Sequence, residues 1–324
     1  MIKIAVIPID NRPICYDLIK DILSIDDRIK LFLPDLKDLG GLYSSSNVNN
    51  IFNFLKTLPE IDYLIVSLDT IAYGGLITSR RCEDDFNIIK NRIEEFKNIT
   101  SKITKNIFAF SSIMRISNNS INEEEKKYWT PWGKKIFDWS YNFHKNGIKE
   151  KTDIPKEILD DYLTTRKRNF EINKIYLNWA KEGFFNTLIF SKDDCAEFGL
   201  NVKEAQELEN LINENQIQNA LIKTGADEIP LSLISRALTQ KEKIKINPIF
   251  IEDKSINLIS KYEDISVKNC VLGQLNIANL QIDNNDFDLT FLINNFKKEQ
   301  GDLVLGDVIN SIEYDINSPK TSYF

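Results

Sequence analysis

Two neighbouring carboxylates, Asp193 and Asp194, follow directly on the apolar run Thr187-Leu188-Ile189-Phe190-Ser191. An apolar run that short reads as a buried strand, so both acids stand at a strand exit. Like charges this close repel unless a proton or a bound group relieves them. Two carboxyls with split proton affinities supply an acid and an anion at one pH. The layout recurs along the chain: apolar runs lead to Asp10 and Arg12, Asp69 and Tyr73, Arg115 and Asn118, Asp227 and Glu228, and Glu252. Such groups move protons or hold hydroxyls, and an arginine grips a carboxylate or phosphate with two parallel bonds. The single histidine, His144, lies in the aromatic helical stretch Trp139-Ser140-Tyr141-Asn142-Phe143-His144, where a packing or surface role is expected. Triad chemistry and His-rich metal sites are therefore set aside.

Strands and helices alternate in the elements that carry these groups. Strand-like runs cover residues 4–9, 30–33, 63–68, 106–111, 187–191, 220–223 and 246–251, and 270–272 or 303–305 could supply an eighth. Between them lie helical patterns over 14–23, behind Pro13, over a stretch capped by Ser46, and over one started by Asp84 or Asp85. Further helices are expected from Asn201 as cap and from Pro230. The stretch 70–76 reads as a glycine-bearing loop. Residues 112–186 break the beat and read as a helical insertion after strand 4, with a long helix from Pro155 to about Lys181. Its tryptophans fall at helical spacing, which favours core packing over a sugar platform. Repeated βα units imply parallel strands, and seven or eight of them favour one α/β domain over 1–324, a (β/α)8 TIM-barrel-like fold. The irregular segment 283–324 leaves its closure incomplete or imperfect. Barrel sites lie at the C-terminal strand ends, where the charged groups above would converge.

Composition narrows the partners. The 324 residues hold 41 Lys and Arg against 48 Asp and Glu, a net charge of −7. That balance argues against nucleic acid or an anionic membrane, both of which need a basic face. No apolar stretch approaches the roughly 20 residues that span a bilayer, and the start reads as a strand rather than a signal peptide. Cys15, Cys82, Cys195 and Cys270 show no paired spacing, which suits a reduced, cytoplasmic protein. Gly40-Gly41 and Gly74-Gly75 match no phosphate-binding fingerprint. Arg166-Lys167-Arg168 reads as a solvated face. Cys195 sits beside two acids that would raise its pKa, so packing is expected of it.

Four stretches carry a resemblance: Ile7-Pro8-Ile9-Asp10-Asn11-Arg12-Pro13, Ser67-Leu68-Asp69-Thr70-Ile71-Ala72-Tyr73-Gly74-Gly75-Leu76, Asp193-Asp194-Cys195-Ala196-Glu197-Phe198-Gly199 and Gly225-Ala226-Asp227-Glu228. In this order they resemble the bacterial family known as domain of unknown function 4127. The family name implies no chemistry. Its members tend to be longer, with an Asn/Thr/Gly-rich motif near the C-terminus that is not seen after Leu303. The strand-end Asp-Asp also looks like the pair of substrate-assisted hexosaminidases, which use the substrate's acetamide as nucleophile.

The resulting expectation is a glycoside hydrolase for acetamido-sugar conjugates, resembling β-N-acetylhexosaminidases in a substrate-assisted retaining mechanism. Asp194 would be the general acid and Asp193 would stay charged beside the developing oxazolinium. Asp69, Tyr73, Asp227 and Glu228 would hold hydroxyls, Arg12 or Arg115 an anionic group, and Asp10 is a further substrate-binding residue. No cofactor or bound metal is expected, and the partner is a small-molecule or oligosaccharide substrate. Two other readings stay open: a divalent-metal hydrolase built on the same carboxylates, and a non-catalytic sugar- or anion-binding protein. Asp227-Glu228 and Asp10 also suit a plain role at a helix start, where the positive dipole end favours acids.

Overall fold

The computed structural model describes residues 1–147, 152–260 and 263–295. They form a mixed α/β protein of two compact units, Met1–Pro230 and the part from Leu231 onward, where the sequence suggested one domain.

The first unit is built on six parallel strands: β1 (Ile2–Ile7), β2 (Ile29–Phe32), β3 (Tyr63–Ser67), β4 (Ile107–Ile113), β5 (Thr187–Lys192) and β6 (Ala220–Thr224). Every residue of β4 and β5 is buried, which is why these runs are apolar throughout instead of alternating. The helices are α1 (Asp17–Leu23), α2 (Val48–Thr57), α3 (Leu68–Tyr73), α4 (Thr78–Arg81), α5 (Phe86–Thr100), α6 (Trp129–Asn146), α7 (Lys156–Lys181) and α8 (Leu200–Glu214). Next come α9 (Ile229–Leu238), β7 (Lys245–Phe250), α10 (Val267–Ile277), β8 (Gln281–Ile282) and β9 (Leu289–Ile293).

The strand order is β2-β1-β3-β4-β5-β6. A (β/α)8 barrel would put β2 between β1 and β3 and would join its first and last strands. Here β1 lies between β2 and β3, and no described strand links β2 to β6. This is the order of an open, doubly wound sheet whose direction of winding reverses at β1 and β3. Residues 246–251, expected as strand seven, form β7 in a separate parallel sheet ordered β8-β7-β9. Residues 270–272 lie in α10, where Ser266 caps the helix by accepting the Asn269 N–H; three apolar residues suit a helix as well as a strand. Residues 303–305 lie outside the described residues.

The insertion is shorter than 112–186. The long helix α7 packs on β4, β5 and α5, so it is the ordinary crossover between β4 and β5. What is added is the loop after β4 together with α6. They enclose a small core of Met114, Ile116, Trp129, Ile136, Trp139, Tyr162 and Leu200. Trp129 and Trp139 are buried, as core packing requires. Helix α6 also finishes the start of α8: Ser140 Oγ accepts the Leu200 N–H at 2.8 Å and His144 Nδ1 accepts the Gly199 N–H at 3.1 Å. Ser140 and His144 together thereby satisfy two of the N–H groups a helix start leaves open. Asn201, the cap suggested by the sequence, instead turns its amide to Cys195 Sγ at 3.3 Å.

Two other local expectations change. Asn47 caps α2 by accepting the Asn50 N–H, and the buried Ser46 hydroxyl accepts the Gly40 N–H. The supposed glycine loop is the helix α3, capped by Ser67 and ended by Gly74 at φ +83°. A Cβ on Gly40 would lie 2.4 Å from the Gly74 carbonyl oxygen, so these glycines serve close backbone packing. All four cysteines are free. No described helix is long and apolar enough to cross a membrane.

Candidate functional site

The C-terminal ends of β1, β4, β5 and β6 are brought together by charge. Arg12, after β1, donates Nη1 and Nη2 to the two carboxylate oxygens of Asp227, after β6, at 2.9 and 2.6 Å. The same guanidinium donates Nε to Asp10 at 2.8 Å. In a flat sheet four strand spacings would set β1 and β6 about 19 Å apart. Arg12 and Asp227 lie in the loops beyond the strand ends, so these loops and the long arginine side chain reach towards each other across the intervening strands. Asp10 is buried, whereas the Arg12 and Asp227 side chains are 43% and 34% exposed; this pair forms a rim open to solvent.

Arg115, in the loop after β4, is the second hub. Its Nη1 donates to Asp194 and lies 3.8 Å from Asp193, its Nη2 donates to Glu124, and its Nε donates to Glu125 at 3.1 Å. Arg115 is buried among these four acids. Asp194 sits in the left-handed region at φ +43°, which aspartate tolerates better than most residues but which still costs energy. Both adjacent carboxylates face Arg115 Nη1, Asp194 bonded to it and Asp193 at 3.8 Å. Burial first, and then the charge of Asp194, push the Asp193 carboxyl up to about 6, although Arg115 and Arg80 pull the other way. The pair thus holds one carboxyl with a proton available near neutral pH beside one clamped by an arginine.

Asp69 and Tyr73, expected to bind substrate, are withdrawn from it. Asp69 is fully buried, accepting the Ser112 N–H at 2.7 Å and the Ser112 Oγ–H at 2.9 Å, and so ties α3 to β4. Burial pushes its carboxyl up to about 7. Tyr73 belongs to the main core, with Arg168 stacked 5.5 Å from its ring centroid. Every residue of α3 is buried; Tyr73 borders a cavity of about 580 Å³ that neither Asp193 nor Asp194 lines. Glu228 lies at the β6 end, 3.8 Å from Lys223 Nζ. Gly225 precedes it at φ +106°, and a Cβ there would meet Glu228 Oε1 at 2.0 Å. Glu252 belongs to the second unit.

The raised carboxyls make stability fall with pH. Unfolded, Asp193 and Asp69 ionise near 3.8; folded, they keep their protons to about 6 and about 7. Above 3.8 the unfolded state therefore binds fewer protons, so this contribution is complete below that pH and is lost as pH rises through each folded value. Urea unfolding is expected to show a loss of about 1.4 kcal/mol per pH unit from each group across its window. Asp193→Asn should abolish the part ending near 6; an unchanged slope in that variant would refute the assignment.

Several residues of the site escaped the sequence reading. Arg166, taken for a solvated face, is 2% exposed: it forks onto Glu204 at 2.8 and 2.6 Å, and donates to the Tyr162 hydroxyl and the Met114 carbonyl. Arg168 donates to the carbonyls of Cys82, Asp84 and Ser79. Arg80 is buried beside Glu125, which is itself 5% exposed. One signal was available: residues 64–77 carry no charge except Asp69, so Arg80 follows directly on a buried stretch. A groove of about 1150 Å³ lies nearby, lined by Tyr43, Arg81, Lys126, Tyr128, Asp161 and Arg168 among others. Asp193 and Asp194 do not line it; Glu125 is shared by groove and cluster.

The metal alternative required Asp10, Asp69, Asp193, Asp194, Asp227 and Glu228 to converge. Among the described residues no three Asp, Glu, His or Cys side chains gather as a cation site. Asp10 and Asp227 are committed to Arg12, Asp194 to Arg115, and Asp69 to Ser112.

An open parallel sheet with paired acids and arginines joined at its C-terminal strand ends defines an α/β protein with a polar strand-end cluster. Residues 4–323 match the family model described as protein of unknown function (DUF4127), and the chain belongs to that family. No curated protein and no solved structure matches it.

Proposed function

We propose that this protein is a glycoside hydrolase acting on acetamido-sugar conjugates, with Asp193 as proton donor and Asp194 as the retained charge. The observation that carries the reading is the contrast within the pair: Asp193 is pushed up to about 6 while its neighbour is held by Arg115. That division reverses the roles expected from sequence. The substrate's acetamide oxygen attacks the anomeric carbon as the glycosidic bond breaks, and the leaving oxygen takes the Asp193 proton. Asp194 accepts the acetamide N–H and stabilises the positive oxazolinium. Water then opens that ring, returning a proton to Asp193, with net retention. Asp227 would hold a hydroxyl and Arg12 an anionic group at the solvent-open rim, with the buried Asp10 orienting Arg12. The ion pairs that join the ends of β1 to β6 and of β4 to β5 support this by drawing charged groups together as a barrel mouth does, and the strand-end Asp-Asp likeness to hexosaminidases supports the substrate class.

The test is hydrolysis of chromogenic glycosides, including β-GlcNAc and β-GalNAc, with and without chelator. Cleavage by the wild type that survives chelator and is lost in Asp193→Asn and Asp194→Asn is the expected result. Cleavage abolished by chelator and restored by a divalent cation would replace this reading with the metal hydrolase. No cleavage by folded protein would leave the sugar- or anion-binding alternative.

A further inference from the structure

Arg80 is an unusual group to bury. It lies in α4 at 2% exposure, and none of its three guanidinium nitrogens makes a hydrogen bond among the described residues. Its nearest acids are Glu125 at 3.6 Å and Glu124 at 3.9 Å, both beyond bonding distance. Donors buried without acceptors are costly, and in the acid–base step above this cation acts only through its charge on Asp193. The two acids differ. Glu125 is 4% exposed at its side chain and fixed between Arg115 Nε and the Ser117 hydroxyl. Glu124 is 42% exposed, and its carboxylate enters the cluster from outside to meet Arg115 Nη2.

We infer that the space facing Arg80 and Arg115, where the Glu124 carboxylate now lies, binds a carboxylate or phosphate of the substrate, and that Glu124 is its displaceable stand-in. The inference deepens the glycosidase reading, on which it rests, by assigning it acidic sugar conjugates. Two facing guanidinium groups supply more donors than one glutamate oxygen can use, and an oxyanion with two or three oxygens would satisfy both. Charge dictates exchange rather than addition. Glu124, Glu125 and Asp194 already outnumber Arg80 and Arg115, so an incoming anion is repelled until Glu124 swings to solvent. Glu124 can leave because only Arg115 and the distant Arg80 hold it.

The experiment is calorimetric titration of inorganic phosphate and of glucuronate into the full chain at neutral pH. Glu124→Gln is expected to bind at least one of them about tenfold more tightly than the wild type, since the competing carboxylate is gone. Arg80→Met in that background should lose the gain. Glu123→Gln removes an equal charge from an exposed neighbour and should change nothing. Which anion responds identifies the group. An unchanged affinity for both anions in Glu124→Gln would overturn the inference, as would an equal gain in Glu123→Gln. The Glu124 and Glu123 comparison decides the matter even where Arg80→Met fails to fold. Because the readout is binding, anion binding without glycoside cleavage would refute the hydrolase reading and leave this site standing.

Discussion

Asp193→Asn is expected to lower kcat/KM for glycosides by about 10²–10⁴, the usual contribution of a positioned acid. In the wild type kcat/KM should fall as pH rises through about 6, the pH at which the folded carboxyl gives up its proton. The sign follows from the role: a donor works only while protonated. Asp194→Asn tests the coupling separately. It removes the negative charge that helps raise Asp193, so the falling limb should move to lower pH while the rate drops through loss of the retained anion. The alternative source of such a limb is Asp69, pushed up to about 7. Its complete burial against Ser112 keeps it from a substrate. A limb that persists unshifted in Asp193→Asn, with activity intact, would remove Asp193 from the mechanism.

Arg166→Met is expected to destabilise the protein by about 3–5 kcal/mol, the cost of leaving a buried charge without its partner. Glu204 would lose both short bonds, and Tyr162 and the Met114 carbonyl one each. Replacing both partners, as in Arg166→Met with Glu204→Leu, should recover much of that loss in urea unfolding, because no charge is then stranded. Activity should not recover with it. Arg166 reaches the carbonyls of Met114 and Arg115, so it positions the backbone from which Arg115 reaches Asp194. Stability regained together with full kcat/KM would reduce Arg166 to a packing residue.

Much of the first unit was legible in sequence because buried parallel strands are continuous apolar runs. Six such runs, at 4–9, 30–33, 63–68, 106–111, 187–191 and 220–223, correspond to β1 through β6 within a few residues. The order of the strands was not legible. Alternating βα units are written alike for a barrel and for a doubly wound sheet; the difference is the side on which β2 pairs, a contact distant in sequence. The short run at 270–272 failed for a local reason, since its helix is decided by the Ser266 cap and its surroundings. Arg166 failed because basic residues in series on a helix look solvated until α8 brings Glu204 against one of them.

Sequence by itself determined which strand ends carry charged groups: Asp10 and Arg12, Arg115, Asp193 and Asp194, and Asp227 each follow an apolar run whose burial forces the first polar residues to its edge. Tertiary structure alone decided which of these groups meet. The bond that joins Arg12 to Asp227 across three intervening strands, the bond that ties Asp194 to Arg115, and the burial that withdraws Asp69 are set by packing. Proton affinity and ion pairing depend on distance and desolvation in three dimensions, and the order of residues along the chain contains neither.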